Sequence, residues 1–160
     1  MSQAATALRV DAPTEFAIVP LHDEPLGAEV HGLDARQPLR AEQVLALKQA
    51  LRDHHILLFK GQQLDDQQYL DFTSYFGSVF QPHADFPVLS SGADGKAPSI
   101  VRVANTEGGE LGNFALPAHS DHQWTPTPSA GSLLYALEVP SQGGETTWTN
   151  LNLAYETLPE

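Results

Sequence analysis

Cysteine is absent from this 160-residue chain, and positive charge is scarce. Without cysteine there is no disulfide framework, no thiolate metal site and no sulfur nucleophile, so a metal would have to be held by His, Asp, Glu or water. Long apolar runs are missing too. Stretches such as Ile56-Leu57-Leu58-Phe59 fall far short of the ~20 apolar residues that a membrane-spanning helix needs. Eight Lys and Arg stand against 20 Asp and Glu, a formal charge of −12. Nucleic-acid binding rests on neutralising phosphates, so that balance excludes it. After Lys96 the only basic residue is Arg102, which leaves one guanidinium for any acidic ligand held by the C-terminal half. The opening "MSQAATALRVDAPTE" has neither a basic start followed by an apolar stretch nor a small-residue cleavage site. It reads as a flexible tail, residues 1–15, of a cytoplasmic protein.

What is present suits a single domain with one core, given the length and a hydrophobic content of 41%. "FAIVPL" (16–21) and "LGAEVHGLD" (26–34) read as short strands. "AEQVLALKQALRDH" (41–54) places Val44, Leu47 and Leu51 at helical spacing, with Leu45 beside them. "HILLFKG" (55–61) reads as a buried strand, and Asp65 with Gln68 forms a capping box at the start of a second helix. Tyr69, Phe72 and Phe76 line one face of that helix as a core stripe, and Gly77 is placed to end it. A Pro, Gly, Ser and Asp-rich loop covers 78–98, before a strand "SIVRVA" (99–104). "NTEGGELGNFALP" (105–117) is a glycine-rich loop without the ending of a phosphate-binding loop. "GSLLYALEV" (131–139) and "ETTWT" (145–149) read as strands around a turn, and "NLNLAYETLP" (150–159) as a helix. Early helices and later short strands with long loops describe a mainly β sandwich or barrel with helical decoration.

Chemistry concentrates at "PAHSDHQWTPTP" (117–128). In an extended segment residues i and i+2 share a face, so His119 and Asp121 could grip one ion while Ser120 points elsewhere. Two histidines and one carboxylate on one face, with the opposite positions open, is the arrangement for oxygen activation by non-haem Fe(II). His83-Ala84-Asp85 repeats the triplet and His22-Asp23-Glu24 approximates it, so the triplet alone does not select a site.

The surrounding block does select. His119 and Asp121, Trp124, Pro128 with Ala130 and Gly131, Leu133 to Val139, Pro140, Gly143-Gly144-Glu145-Thr146 and Ala154-Tyr155-Glu156-Thr157-Leu158 follow one another in the order and spacing of a known pattern. This resembles the TauD/TfdA family of Fe(II)- and 2-oxoglutarate-dependent dioxygenases, over residues 16–160. The resemblance implies a double-stranded β-helix, the jelly roll of clavaminate synthase-like proteins. It implies Fe(II), 2-oxoglutarate and O2, with His119 and Asp121 as two iron ligands and Thr146 hydrogen-bonded to 2-oxoglutarate, where the residue by itself reads as a cross-strand polar contact. It also implies hydroxylation of a small, anionic organic substrate coupled to release of succinate and CO2. His83, His122 and Trp124 stand as substrate-contact candidates, against plainer readings as loop, solvent-facing and packing residues. Gly143 and Gly144 read as turn residues.

The family's third ligand, a histidine, and the arginine that pairs with the distal carboxylate of 2-oxoglutarate are expected downstream, past residue 160, with the second half of the roll. Two readings follow. The chain is the N-terminal portion of a dioxygenase, or it is a non-catalytic remnant or interaction module of that fold. A half roll is expected to expose strand edges and apolar faces, to be poorly stable and to associate, which leaves a homo-oligomer open.

Overall fold

The structure, a computed structural model, describes residues 15–81, 99–105, 110–111 and 116–159. The expected tail 1–15 falls almost wholly outside them, as does most of the expected loop 78–98, including His83. The chain divides into two compact units, 1–64 with 137–160 and 65–136.

In the first unit, strands β1 (Ala17–Pro20) and β2 (Ala28–His31) pair antiparallel, with Ala17 opposite His31 and Pro20 opposite Ala28. Helix α1 (Ala41–His54) follows at the residues that its apolar spacing predicts. Its N-terminus is tied by the Arg40 N–H, which donates to the Gln43 side chain at 2.9 Å. It stops where His55 enters the left-handed region at φ 65° and returns its N–H to the Leu51 carbonyl. Strand β3 (Leu57–Leu58) then joins β2 in parallel register, giving a three-stranded sheet of order β1-β2-β3. The core lies here: Ala28 and Leu47 are wholly buried, with Phe16, Val30, Leu33, Ala35 and Ala50 around them. Leu47 is the centre of the apolar face of α1, whereas Leu45 points out. The Gln62 amide clips the turn before α1, accepting from the Ala35 N–H at 2.9 Å and donating to the Leu33 carbonyl at 3.0 Å.

The same unit holds the short helix α3 (Leu151–Glu156), capped by Asn150, whose Oδ1 accepts from the Leu153 N–H at 3.0 Å. The Asn150 Nδ2 donates to the Pro25 carbonyl at 2.9 Å, across 125 residues of sequence. Ahead of it Gly143 and Gly144 both have positive φ, 74° and 75°, and supply the turn geometry expected of them.

In the second unit, α2 (Asp66–Ser74) opens on the expected capping box. Asp65 Oδ1 accepts from the Gln68 N–H at 2.8 Å, and Gln68 Oε1 accepts from the Asp65 N–H at 3.0 Å. Phe72 is buried against Phe76 and Tyr75 by edge-on ring contacts, so the aromatic stripe serves packing. A two-residue parallel ladder joins β4 (Val103–Ala104) to β5 (Glu110–Leu111).

The strand expectations are met only in part. The predicted strands 131–139 and 145–149 form no ladder, 99–104 shrinks to Val103–Ala104, and 55–61 shrinks to the half-buried Leu57–Leu58. A strand exists by pairing with another strand, and among the described residues nothing pairs with 131–139 or 145–149. Helices are therefore more extensive than strands among the described residues, and no jelly roll is formed by them.

Candidate metal centre

His119 and Asp121 come together in the second unit, at the entry to a turn spanning 121–124. The His119 Nε2 lies 3.3 Å from the Asp121 Oδ1, and both side chains are half exposed. The other end of each is held. The His119 Nδ1 lies 2.9 Å from the Pro117 carbonyl oxygen, which can only accept, so Nδ1 carries the proton and donates. The Ser132 Oγ donates to the Asp121 Oδ2 at 2.7 Å.

This anchoring decides what the facing atoms can do. With the proton on Nδ1, a neutral imidazole presents its Nε2 lone pair to a carboxylate oxygen. Two lone pairs at 3.3 Å repel unless a proton or a cation lies between them. Two ligands at right angles around an ion, each ~2.1 Å from it, are separated by about 3 Å. The observed separation fits that bite. A ring N–H given to a backbone carbonyl and a carboxylate that is itself hydrogen-bonded are what ligating His and Asp carry around a bound metal. The donor set, one imidazole nitrogen and one carboxylate oxygen, suits Fe(II). Among the described residues no third His, Asp or Glu joins the pair.

The neighbouring candidates divide. His122 occupies the turn itself with φ 53°, a left-handed conformation that a non-glycine residue adopts at a cost. It is held there by stacking on Phe80, with ring centroids 4.0 Å apart and 14° between planes, and by a 2.7 Å hydrogen bond shared between Nδ1 and the Ser129 Oγ. The Thr125 N–H donates to its carbonyl at 3.1 Å. His122 is thus half buried and packed, contrary to the solvent-facing reading. Trp124 meets the His122 ring edge-on at 5.7 Å but is 57% exposed, so the buried packing role weighed for it is not seen. Thr146 is exposed and belongs to the first unit, outside the unit that carries the His119–Asp121 pair. His83 lies outside the described residues. Among the described residues, open depressions at Asp34, Arg36 and Gln62 and at Phe16, Gln37 and Arg40 are lined by none of these residues.

Ser132, Ser129 and Phe80 are partners that sequence reasoning missed. A small polar residue at the head of an apolar run carries no signal of the carboxylate 11 positions earlier that it touches.

The family model "Taurine catabolism dioxygenase TauD, TfdA family" matches residues 17–160. The chain belongs to the TauD/TfdA family. Enzymes of that family use Fe(II), 2-oxoglutarate and O2. Relatives within reach include an alkylsulfatase of Acinetobacter baylyi, 33% identical over 84% of this chain and 40% of its own length. An alpha-ketoglutarate-dependent sulfate ester dioxygenase of Pseudomonas putida is 32% identical over 100% of this chain and 50% of its own. An alpha-ketoglutarate-dependent 2,4-dichlorophenoxyacetate dioxygenase of Cupriavidus pinatubonensis is 30% identical over 88% of this chain and 52% of its own. The chain thus spans about half the length of the relatives that it matches. As a TauD/TfdA member it places its His-x-Asp where the second unit brings an imidazole nitrogen and a carboxylate oxygen face to face. No helix among the described residues is long and apolar enough to cross a membrane.

Proposed function

We propose that His119 and Asp121 are two ligands of the iron of an Fe(II)- and 2-oxoglutarate-dependent dioxygenase, and that the protein carrying this chain hydroxylates a small organic anion. The observation that carries the reading is the 3.3 Å approach of His119 Nε2 to Asp121 Oδ1 with the far end of each side chain anchored. The bound metal supplies oxygen activation coupled to decarboxylation of 2-oxoglutarate to succinate and CO2. This chain's own residues have a narrower task. His119, oriented through the Pro117 carbonyl, turns its Nε2 toward Asp121. Asp121 offers one negative oxygen, which offsets part of the ion's charge. Thr146 is assigned to 2-oxoglutarate through its hydroxyl, and His122 and Trp124, with His83, to the substrate side. The fold that completes the site in this reading is the double-stranded β-helix.

The substrate class is drawn from the relatives, whose names specify a sulfate ester and an aryloxyacetate, both small anions. The test is 2-oxoglutarate-dependent O2 uptake and succinate formation by the protein carrying this chain, with Fe(II) and a panel of sulfate esters and aryloxyacetates. His119→Ala and Asp121→Ala are expected to abolish substrate-coupled turnover, and wild-type turnover in either removes the assignment. Thr146→Ala is expected to raise the apparent KM for 2-oxoglutarate more than it lowers kcat. An unchanged KM returns Thr146 to a structural part.

A further inference from the structure

We propose that Ser132 is a positioning residue that holds Asp121 to coordination through a single oxygen; this rests on the reading of His119 and Asp121 as metal ligands. A carboxylate beside a cation can bind through one oxygen or two. If it uses both, it occupies a coordination position that a chelating co-substrate or O2 would otherwise take. In this structure the two oxygens of Asp121 are already committed differently. Oδ1 faces the His119 Nε2 at 3.3 Å, while Oδ2 accepts the Ser132 hydroxyl at 2.7 Å. Bringing Oδ2 to the same ion would turn the carboxylate about its Cβ–Cγ bond and break the bond to Ser132. A charge-assisted O–H donor of this length is among the stronger hydrogen bonds available to a side chain.

The serine can resist that turn because its own segment is fastened. One residue on, the Leu133 carbonyl accepts the Tyr69 hydroxyl of α2 at 2.6 Å, and Tyr135 stacks on the Tyr69 ring at 6.0 Å. Three residues earlier, Ser129 is bonded to His122 within the ligand turn. Segment 129–135 is therefore pinned to α2 on one side and to the turn on the other, with Ser132 between the two attachments. His119 is set by a backbone carbonyl and Asp121 by a side-chain hydroxyl, so only the second orienting contact is open to substitution.

The experiment titrates the chain with Co(II) alone and follows the His119 ring-proton NMR signals, which separate this site from the other histidines. Affinities are compared for wild type, Ser132→Ala, Ser132→Val and Ser132→Thr, with Asp121→Ala alongside and His119→Ala used to assign the ring-proton signals. Val and Thr have the same shape and differ in the hydroxyl, so a purely packing role affects them equally. The expected result is about tenfold weaker Co(II) binding in Ser132→Ala and Ser132→Val, the scale of lost contacts behind a metal ligand, with affinity kept in Ser132→Thr. Equal affinities in Ser132→Val and Ser132→Thr, with Asp121→Ala still impaired, would overturn the role of Ser132 and leave the ligand pair standing. A wild-type His119 signal that does not respond to Co(II), or an unimpaired Asp121→Ala, would overturn both.

Discussion

Residues 15–64 and residues 116–159 both carry many apolar side chains but use them in opposite ways. The first stretch buries Phe16, Ala28, Val30, Leu33, Ala35, Leu47 and Ala50 behind a three-stranded sheet and one helix. The second buries no large apolar side chain: Trp124, Leu134, Leu137, Val139, Trp148, Leu151, Tyr155 and Leu158 are all exposed. Yet the second stretch carries the family's signature and the paired ligand atoms. The contrast separates two kinds of order. Packing order needs many partners arranged in three dimensions, whereas the ligand pair needs only a turn and three hydrogen bonds.

Substitution can break this contrast directly. Leu47→Ala removes a wholly buried side chain and is expected to cost about 2–5 kcal/mol, read as a lower urea midpoint and faster hydrogen exchange along α1. Leu137→Ala, at a residue 77% exposed, is expected to change stability by no more than about 0.5 kcal/mol. Similar losses from the two variants would mean that 131–139 is packed in solution. A smaller effect sharpens the contrast from the helical side. Asp65→Ala deletes the side chain that caps α2 and is expected to cost about 1 kcal/mol, visible as fraying of its first turn by amide exchange. An unaffected first turn would leave the capping box idle.

The smallest effect concerns charge on the well-packed stretch. The Arg36 guanidinium donates to both Asp34 oxygens, at 2.9 and 2.8 Å, and holds that carboxyl down at about 2. A folded-state value below the ordinary ~3.9 means that the contribution to stability is present above that ordinary value. It is lost as pH falls toward 2. Carbon-detected NMR titration of Asp34 is expected to show the low midpoint, and Arg36→Ala to return it toward the ordinary range. A midpoint unmoved by Arg36→Ala would assign the shift to the backbone instead.

How far the sequence could be read follows the same division. Helix α1 was legible to its end residues because Val44, Leu47 and Leu51 and good helix formers encode it locally. The Asp65–Gln68 box was legible for the same reason: both ends of each of its bonds lie within one turn. The approach of His119 to Asp121 follows from the two-residue spacing, while the choice of this triplet over His83-Ala84-Asp85 came from the surrounding block. The strands at 131–139 and 145–149 were not legible, because alternation records a readiness to pair and the ladder depends on a neighbour supplied elsewhere. The Ser132 contact and the Phe80–His122 stack were hidden because their partners stand 11 and 42 residues away, with nothing local to mark them.

The bond from Asn150 to the Pro25 carbonyl, described above as a helix cap with a second use, also orders events in time. During synthesis the first strands and α1 are complete long before residue 150 has left the ribosome, and all their sheet pairings lie within residues 17–58. The Pro25 carbonyl must therefore wait for a partner that lies 125 residues further along the chain. Its partner is made after the strands and helix it reaches back to, so the bond follows their formation and is not part of the nucleus that starts it.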